Sequence, residues 1–430
     1  MSFFKDLNQF MMMGARAHAK WELEMSDNIL KSRNRRLILC LLLVPIILGG
    51  IAMASGDVTS LPDVLGGKKA YTPAFYTPTV FIASILVGLA AGLITGCIGA
   101  GGGFIIAPAL MSIGVKGILA VGTDLFHIFA KAIMGSVLHK KLGNISVPLA
   151  FTFLIGAIGG ATAGGMLNRY LYELNPVLSD AFITTVYVGM LGFLGFYALT
   201  DYFSCKKELN RASAAGETVS GKDEVIPAIG KKLQAINIPP MVSFDHGITP
   251  GGRKISWLFL VLSGAFVGMA AGIMGVGGGF LTFPIFVYGL GVSSMTTVGT
   301  DIFQIIFTAG YASLSQYAIY GFIFYTLAMG MLLGSLFGIQ IGSLVTKVVP
   351  GITIRGFYAM SVLAGFVNRV FALPAKLREM DVINWSQQLT YTLEQIGIYG
   401  FFIVIGIFCF WVFNTFLSNI KTLKGEVPVS

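Results

Sequence analysis

Three ionisable residues lie within an apolar run at 121–135, VGTDLFHIFAKAIMG. Asp124, His127 and Lys131 are three and four residues apart, so on an α-helix they would share one face. An ionisable side chain at membrane depth costs about 2.5–3.5 kcal/mol on insertion scales and usually faces a cavity or a partner. Lys131 could pair with an anion. His127 titrates near neutral pH when unperturbed, so it could bind an anion when protonated or carry a coupling proton.

The same positions recur 177 residues later with less charge, as Asp301, Gln304 and Thr308 after a second VGTD. Both aspartates follow a threonine, Thr123 or Thr300, near the start of a predicted span. An acid in such a place can cap the helix N-terminus. Proton coupling and structural capping therefore both stay open for the two aspartates.

Glycine triplets interrupt two apolar runs, GCIGAGGGFIIAP at 96–108 and GIMGVGGGFLTFP at 272–284. The apolar pieces that follow, 104–115 and 280–290, would each cover about half of the hydrocarbon core, so they predict half-helices. A break before a half-helix leaves backbone N–H groups unpaired at the positive end of the helix dipole, which favours an anion. Close helix packing is the alternative. The glycines concerned are Gly101, Gly102, Gly103, Gly277, Gly278 and Gly279.

These interruptions belong to an internal repeat. VGLAAG at 87–92 matches VGMAAG at 267–272, and GGGF and VGTD recur in the same order. Glycines spaced by four form a ladder in each half, and this spacing places them on one helix stripe where another helix can come close. We therefore predict a packing role for Gly156, Gly160 and Gly164 in the first half and for Gly330, Gly334, Gly338 and Gly342 in the second.

The composition is that of a membrane protein, with 55% hydrophobic residues, 11% charged residues and a mean hydropathy of +0.79. Apolar runs such as 36–54 and 79–97 are long enough to span a bilayer as helices. Four scattered cysteines and four distant histidines offer no metal cluster and no nucleophile–base pair. We therefore expect no metal, no cofactor, no nucleic-acid partner and no enzymatic activity.

Positive charge predicts how the chain is threaded, because Lys and Arg concentrate in cytoplasmic loops. If each GGGF segment advances the chain across the membrane, 21 of the 29 Lys and Arg residues lie in cytoplasmic pieces. Each half then has five elements, so the second half enters from the opposite side as an inverted repeat, which is frequent in secondary transporters. The expected fold is an all-α polytopic membrane protein with about ten transmembrane helices and two short broken half-helices. The expected location is the cytoplasmic membrane, with both termini cytoplasmic.

Two features lie outside this repeat pattern. The polar connection between the halves is interpreted as a plain tether, with regulation as the alternative. Asn368 and Arg369 are interpreted as snorkelling toward the surface. The predicted regions are a basic cytoplasmic segment that could form an interfacial helix (1–36), a first span and outer loop (37–78), the first repeat (79–202), a cytoplasmic linker loop (203–254), the inverted second repeat (255–373), and an outer loop, last span and tail (374–430).

The paired motifs GAGGGFIIAP with VGTD and GVGGGFLTFP with VGTD resemble the sulfite exporter TauE/SafE family, also described as probable membrane transporter proteins. The resemblance covers about residues 79–373. It implies transport of sulfite, sulfate or small sulfur-containing organic anions, and it fixes neither the substrate nor the direction. It also implies that the triplet glycines and the Thr-Asp pairs at 123–124 and 300–301 line or frame the pathway.

These inferences predict a secondary transporter of a small anion that works by alternating access between inverted repeats. The expected partners are the anion, the lipid bilayer and a coupling proton, and the oligomeric state is open. A channel-like anion facilitator and a membrane sensor without transport are the alternatives. The predicted substrate-binding residues are the six triplet glycines, Thr123, Thr300, His127, Lys131 and Gln304, with Asp124 and Asp301 as coupling or structural residues.

Overall fold

A computed structural model describes residues 78–98, 102–141, 145–215, 228–245, 252–345, 348–349 and 351–420. The predicted first span at 36–54, the N-terminal segment and Gly101 lie outside the described residues.

The first repeat consists of four long helices and one short helix. The short helix, α2, is the predicted first half-helix and has 10 residues. The helices are α1 (Pro78–Ile98), α2 (Gly103–Ser112), α3 (Gly117–Lys141), α4 (Val147–Leu174) and α5 (Pro176–Ala215).

The linker contains regular structure, so the prediction of a plain loop over 203–254 is corrected. Helix α5 continues through its first residues, and a short helix α6 (Ala228–Gln234) follows. Strands β1 (Met241–Phe244) and β2 (Arg253–Ser256) then form an antiparallel hairpin with Met241 opposite Ser256. Phe244 and Ile255 on this hairpin are buried, which gives the linker a packed apolar side.

The second repeat has the same order of elements, with more irregular backbone. Its half-helix joins an α-helical piece, α8, to a π-helical piece. A second π-helical turn follows α9. The elements are α7 (Trp257–Met274), α8 (Gly279–Pro284), the π segment Ile285–Leu290, α9 (Ser294–Tyr311), the π segment Ala312–Tyr317, a 3₁₀ turn (Ala318–Tyr320), α10 (Tyr325–Val345), α11 (Gly351–Glu379) and, after the repeat, α12 (Gln387–Ser418).

Six helices among the described residues are long and apolar enough to cross a membrane. They include α4, α5, α7, α11 and α12, and residues 325–342 of α10. The fold is therefore that of a multi-pass helical membrane protein. The expected number of ten spans is not established. Helices α3 and α9, which carry the polar clusters, are not among the six.

The glycine ladders lie at close helix contacts, as predicted, and these contacts join a helix of one repeat to a helix of the other. Helix α4 lies against α7, and helix α10 lies against α1. A Cβ atom on Gly160 would lie 2.7 Å from the backbone nitrogen of Met269, and one on Gly338 would lie 2.7 Å from that of Leu93. Because side chains are missing at these points, the two backbones approach more closely than any other residue would allow.

The carboxyl ends of the two half-helices lie near opposite ends of α5. Gly117, which follows α2, donates to Asp180 near the start of α5, and the ring of Tyr288 in the second half-helix is 5.2 Å from that of Tyr197 further along α5. Ser112, at the end of α2, contacts Asn368 in the second half of α11. Gly291, just after the second half-helix, accepts a hydrogen bond from Arg253 of the linker at 2.8 Å. The expected inverted repeat requires half-helices that end in this way, and the inverted arrangement itself stays a prediction.

Candidate functional site

Both glycine triplets break the helix, and both breaks rely on left-handed backbone. Gly102, the N-cap of α2, has φ 68°, and Gly278, the N-cap of α8, has φ 90°. Glycine adopts this conformation at little cost, whereas other residues are strained there. The two interruptions predicted from the triplets are therefore present, and each opens a half-helix.

The amino-terminal ends of the two half-helices meet inside the molecule. A Cβ on Gly103 would lie 2.9 Å from Cα of Val276, so the backbones of the two breaks are in close contact. The rings of Phe104 and Phe280 are 6.1 Å apart. Ile128 of α3 lies beside both Gly103 and Gly277. The fold thus brings two positive helix ends to one buried point.

Backbone donors remain at this point. Among the described residues, the hydrogen-bonded N–H groups of α2 begin at Ile105, and those of α8 begin at Leu281. The N–H groups of Gly103, Phe104, Gly279 and Phe280 precede them. The first N–H groups of a helix lack partners within the helix, and a converging pair of helices offers them to a shared anion.

Lys131 is adjacent to the first break. Its Nζ donates to Thr95 Oγ1 at 3.2 Å. A Cβ on Gly102 would lie 2.7 Å from that same hydroxyl oxygen. Thr95 therefore connects the lysine to the N-cap of the first half-helix. The sequence analysis did not single out Thr95, because only the folding of α1 against the break gives this threonine a role.

Asp124 and His127 are fully buried on the same helix, with 0% exposure each. His127 Nε2 is 3.0 Å from Ser335 Oγ on α10, and its Nδ1 is 3.7 Å from Asp124 Oδ1. Among the described residues, both carboxylate oxygens of Asp124 and the Nδ1 of His127 lack a hydrogen-bond partner. A buried polar group without a partner is costly, which favours a bound proton, water or ligand at this position.

The matching cluster of the second repeat satisfies its own hydrogen bonds. Gln304 Nε2 donates to Asp301 Oδ1 at 3.0 Å, and Thr308 donates to Gln304 Oε1 at 2.7 Å. The side chain of Thr282 on the second half-helix also interacts with Asp301. The second cluster is therefore a closed network. Its connection to α8 places it beside the second break.

Thr123 and Thr300 hold the repeats together. The Thr123 hydroxyl accepts a hydrogen bond from the N–H of Phe324 at 2.9 Å, just before α10. The Thr300 hydroxyl accepts one from the N–H of Ser146 at 3.0 Å, just before α4. Each threonine thus fixes the start of a helix in the other repeat, which favours a framing role over substrate binding at both positions.

The interpretation of the two aspartates as helix caps is wrong. Helix α3 begins at Gly117, whose N–H donates to Asp180 Oδ1 at 2.8 Å, and Asp124 lies two turns further along. Helix α9 is capped by Ser293, so Asp301 is equally internal. Neither aspartate is close enough to a helix start to satisfy its unpaired N–H groups.

The snorkelling interpretation of Arg369 is also wrong. Arg369 is 3% exposed and lies against the end of α2. Its Nη2 donates to the carbonyl of Pro108 at 3.2 Å and to Ser112 Oγ at 3.0 Å. A cation near a helix carboxyl end is stabilised by the dipole. No sequence pattern indicated this contact, because 257 positions separate Arg369 from Ser112.

The convergent site is closed to solvent in this conformation, since Phe104, Val276 and Phe280 are all buried. A surface cavity of about 420 Å³ includes Arg378 and Glu394, and one of about 280 Å³ includes Tyr202 and Lys206. Neither cavity includes a residue of the breaks.

The described residues contain no group of three or more His, Cys, Asp or Glu placed to hold a metal ion. The arrangement places backbone donors and the nearby Lys131 around one buried point, which is the chemistry that an anion site requires.

Comparison with known proteins agrees with this architecture. A model of the sulfite exporter TauE/SafE family matches residues 84–368. The chain is 25% identical over 270 residues to probable membrane transporter protein YjnA of Bacillus subtilis (strain 168). This match covers 61% of this chain and 89% of the relative. It is 22% identical over 275 residues to probable membrane transporter protein YunE of the same strain, with 62% and 89% coverage.

A plant protein gives a shorter match. Over 119 residues the chain is 29% identical to sulfite exporter TauE/SafE family protein 6 of Arabidopsis thaliana, which covers 26% of this chain and 28% of the relative. No solved structure matches the chain.

Six candidate spans, paired half-helices and these relatives define a multi-pass membrane transporter. The chain belongs to the sulfite exporter TauE/SafE family, because the family model matches more than half of its residues. Its family and its relatives are transporters, which is consistent with the expectation that the chain is not an enzyme.

Proposed function

We propose that the protein is a secondary transporter of a small anion, namely sulfite, sulfate or an organosulfonate, and that it moves this anion across the cytoplasmic membrane. The observation that carries the proposal is the head-to-head meeting of the two half-helices, with Gly103 against Val276. Two helix dipoles that point their positive ends at one buried point favour an anion there. Helix N-termini at the midplane play this part in other transporters built from inverted repeats.

The donors around the breaks suit an oxyanion. The N–H groups of Gly103, Phe104, Gly279 and Phe280 supply directional donors, and Lys131 supplies charge beside the first break. A sulfur oxyanion or sulfonate presents several acceptor oxygens to such donors. The description of the family and the name of the plant relative refer to sulfite export, which supports this class of substrate.

Alternating access follows from how the repeats interlock. Helices α1 and α10 pack as one pair and α4 and α7 as another, so each pair joins the two repeats. The half-helices and Ile128 close the site between these pairs. Rocking of one pair against the other would open the site to one face at a time.

Asp124 is the residue that we assign to the coupling proton. It is buried, lacks a hydrogen-bond partner among the described residues and lies 3.7 Å from His127. A buried carboxylate of this kind favours a protonated state in one conformation and release where water reaches it. The corresponding Asp301 is held by Gln304 and serves the structure of the second break.

The test is uptake and efflux of labelled sulfite, sulfate and a sulfonate in sealed proteoliposomes, with and without an imposed pH gradient. Saturable transport of at least one of them, with uphill accumulation driven by the gradient, supports the proposal. Saturable transport without accumulation would indicate a facilitator. Absence of transport for all three anions in both directions would reject the function.

A further inference from the structure

The carboxyl ends of the half-helices are held by two arginines that come from outside the half-helices. Arg369 of α11 holds the first half-helix, and Arg253 of strand β2 holds the second. We propose that these two latch arginines are positioning residues of the transporter, and that each one keeps its own face of the anion site closed. This inference rests on the proposed alternating access.

Arg369 binds the last turn of α2 by several contacts. It donates to the carbonyl of Pro108 and to Ser112 Oγ, and its Nη1 lies 3.4 Å from Met111 Sδ. Asn368 adds a hydrogen bond from Nδ2 to Ser112 Oγ at 3.1 Å. The carboxyl end of a helix carries partial negative charge, so a buried guanidinium beside its last turn is favourable. Removal of Arg369 would release the end of α2.

Arg253 does the same at the opposite face. Its Nη1 donates to the carbonyl of Gly291 at 2.8 Å, and Gln234 Nε2 donates to the carbonyl of Leu290 at 2.8 Å. Asp245 lies 3.5 Å from Arg253 and accepts hydrogen bonds from the N–H and hydroxyl of Ser293, the cap of α9. The linker therefore fastens the second half-helix and the following helix together.

Both latches are arginines that bind the carboxyl end of a half-helix, but they do not occupy equivalent positions in the two repeats. Arg253 precedes the second repeat, whereas Arg369 lies in the last helix of that repeat. Because the amino ends of the half-helices meet at the centre, a half-helix can swing outward at its own face only if its carboxyl end is freed. The linker is thus part of one gate rather than a tether.

The test measures access to each face with single cysteines in a full-length protein whose four native cysteines are replaced. Val292→Cys lies beside the Arg253 latch and Ala109→Cys beside the Arg369 latch, and the native side chains are 2% and 1% exposed. Reaction with a membrane-impermeant maleimide is followed in vesicles of both orientations. Loss of a hydrogen bond to a charged group shifts a two-state equilibrium about tenfold.

Arg253→Gln should raise labelling of Val292→Cys about tenfold and lower that of Ala109→Cys, because opening one face closes the other. Arg369→Gln should give the reverse pattern from the opposite side of the vesicle. Gln234→Ala, which removes contacts to Leu290 and Gly291 alone, should repeat the Arg253→Gln pattern more weakly. Arg169→Gln is the matched control, because Arg169 donates to the carbonyl of Gln316 at 2.7 Å, in the π segment after α9, and this segment is not part of a half-helix.

A reciprocal change in the two reporters supports the latches. A rise in labelling at both reporter cysteines, or no change at either, would overturn the latches and leave the two arginines with a purely structural role. If reciprocal labelling occurs while no anion is transported, the latch stands and the proposed function fails. If an anion is transported but labelling does not respond to either variant, the function stands and the latch fails.

Discussion

The side chains around the two breaks give the repeats different chemistry on a shared scaffold. Asp124 and Asp301 occupy equivalent positions, yet Asp301 is hydrogen-bonded by Gln304 at 3.0 Å, whereas Asp124 faces His127 at 3.7 Å. Lys131 adds a charge where the second repeat has Thr308. The first repeat therefore carries the histidine and the lysine of the two clusters, and we propose that substrate charge recognition and coupling take place there.

Lys131→Met should raise the KM for the anion about ten- to a hundredfold while the protein stays folded. The reason is that a charged donor beside the first break is lost, and such hydrogen bonds contribute about 1.5–3 kcal/mol. Initial uptake rates in proteoliposomes would measure the effect. Lys376→Met is the control, because Lys376 forms a partly exposed pair with Glu379 at 3.6 Å and should change little. Unchanged transport by Lys131→Met would remove this lysine from the site.

Asp124→Asn should abolish accumulation driven by a pH gradient and leave exchange of labelled for unlabelled anion in place. The amide keeps the size of the side chain but cannot bind and release a proton. The measurement compares gradient-driven uptake with counterflow in the same vesicles. Asp301→Asn should keep gradient-driven uptake, because Gln304 can still bond the amide oxygen. Retained accumulation in Asp124→Asn would assign the coupling proton elsewhere.

At the scale of elements, the glycine ladders decide which helices pair. Gly156, Gly160 and Gly164 of α4 face α7, while Gly330, Gly334 and Gly338 of α10 face α1. The two ladders are related by the internal repeat, so both helix pairs are held by the same kind of close packing at glycine. Close backbone contact replaces the hydrophobic effect as the source of helix association in lipid.

Gly160→Ala should destabilise the protein by about 1–3 kcal/mol, because its Cβ would overlap the backbone of Ala265 and Met269 and force the helices apart. Gly159→Ala is the matched control in the same helix, since a Cβ there has no neighbour within 4 Å and alanine favours the helix. Thermal unfolding in detergent would give the Tm of both variants. Equal Tm values would argue against packing by the α4 ladder.

The half-helices show which features of the elements could be predicted from the sequence. The triplets and the short apolar pieces predicted both breaks, and the structure contains them at Gly102 and Gly278. The π-helical turns at Ile285–Leu290 and Ala312–Tyr317 were not predicted. They depend on how neighbouring helices re-satisfy the backbone, which no local pattern encodes.

At the scale of the whole molecule, we predict that the second repeat runs opposite to the first. The first half-helix ends near α11, and the second ends at the linker. Lys254 of β2 and Val382 after α11 should consequently lie on opposite sides of the membrane. The linker side would be cytoplasmic, because the predicted cytoplasmic pieces hold most of the Lys and Arg residues.

Single cysteines can test this threading in a background without the native ones. Val382→Cys should react with an impermeant maleimide added to intact cells, whereas Lys254→Cys should react only after the membrane is permeabilised. Both native side chains are exposed, so burial does not confound the comparison. Labelling of both positions from the same side would exclude the inverted arrangement.

The sequence by itself determined a polytopic membrane protein, its internal repeat, its two helix breaks and the family. The first three properties follow from local composition and spacing, because apolar length, glycine triplets and recurring motifs can be read without knowing any distant contact. The family was indicated by the resemblance of the paired motifs, and the family model confirms it. The tertiary structure alone decided that Arg369 and Arg253 hold the half-helices, that Thr123 and Thr300 frame the opposite repeat, and that Thr95 reaches Lys131. Those roles arise from pairs of residues far apart in the chain, whose approach depends on the packing of all the helices together.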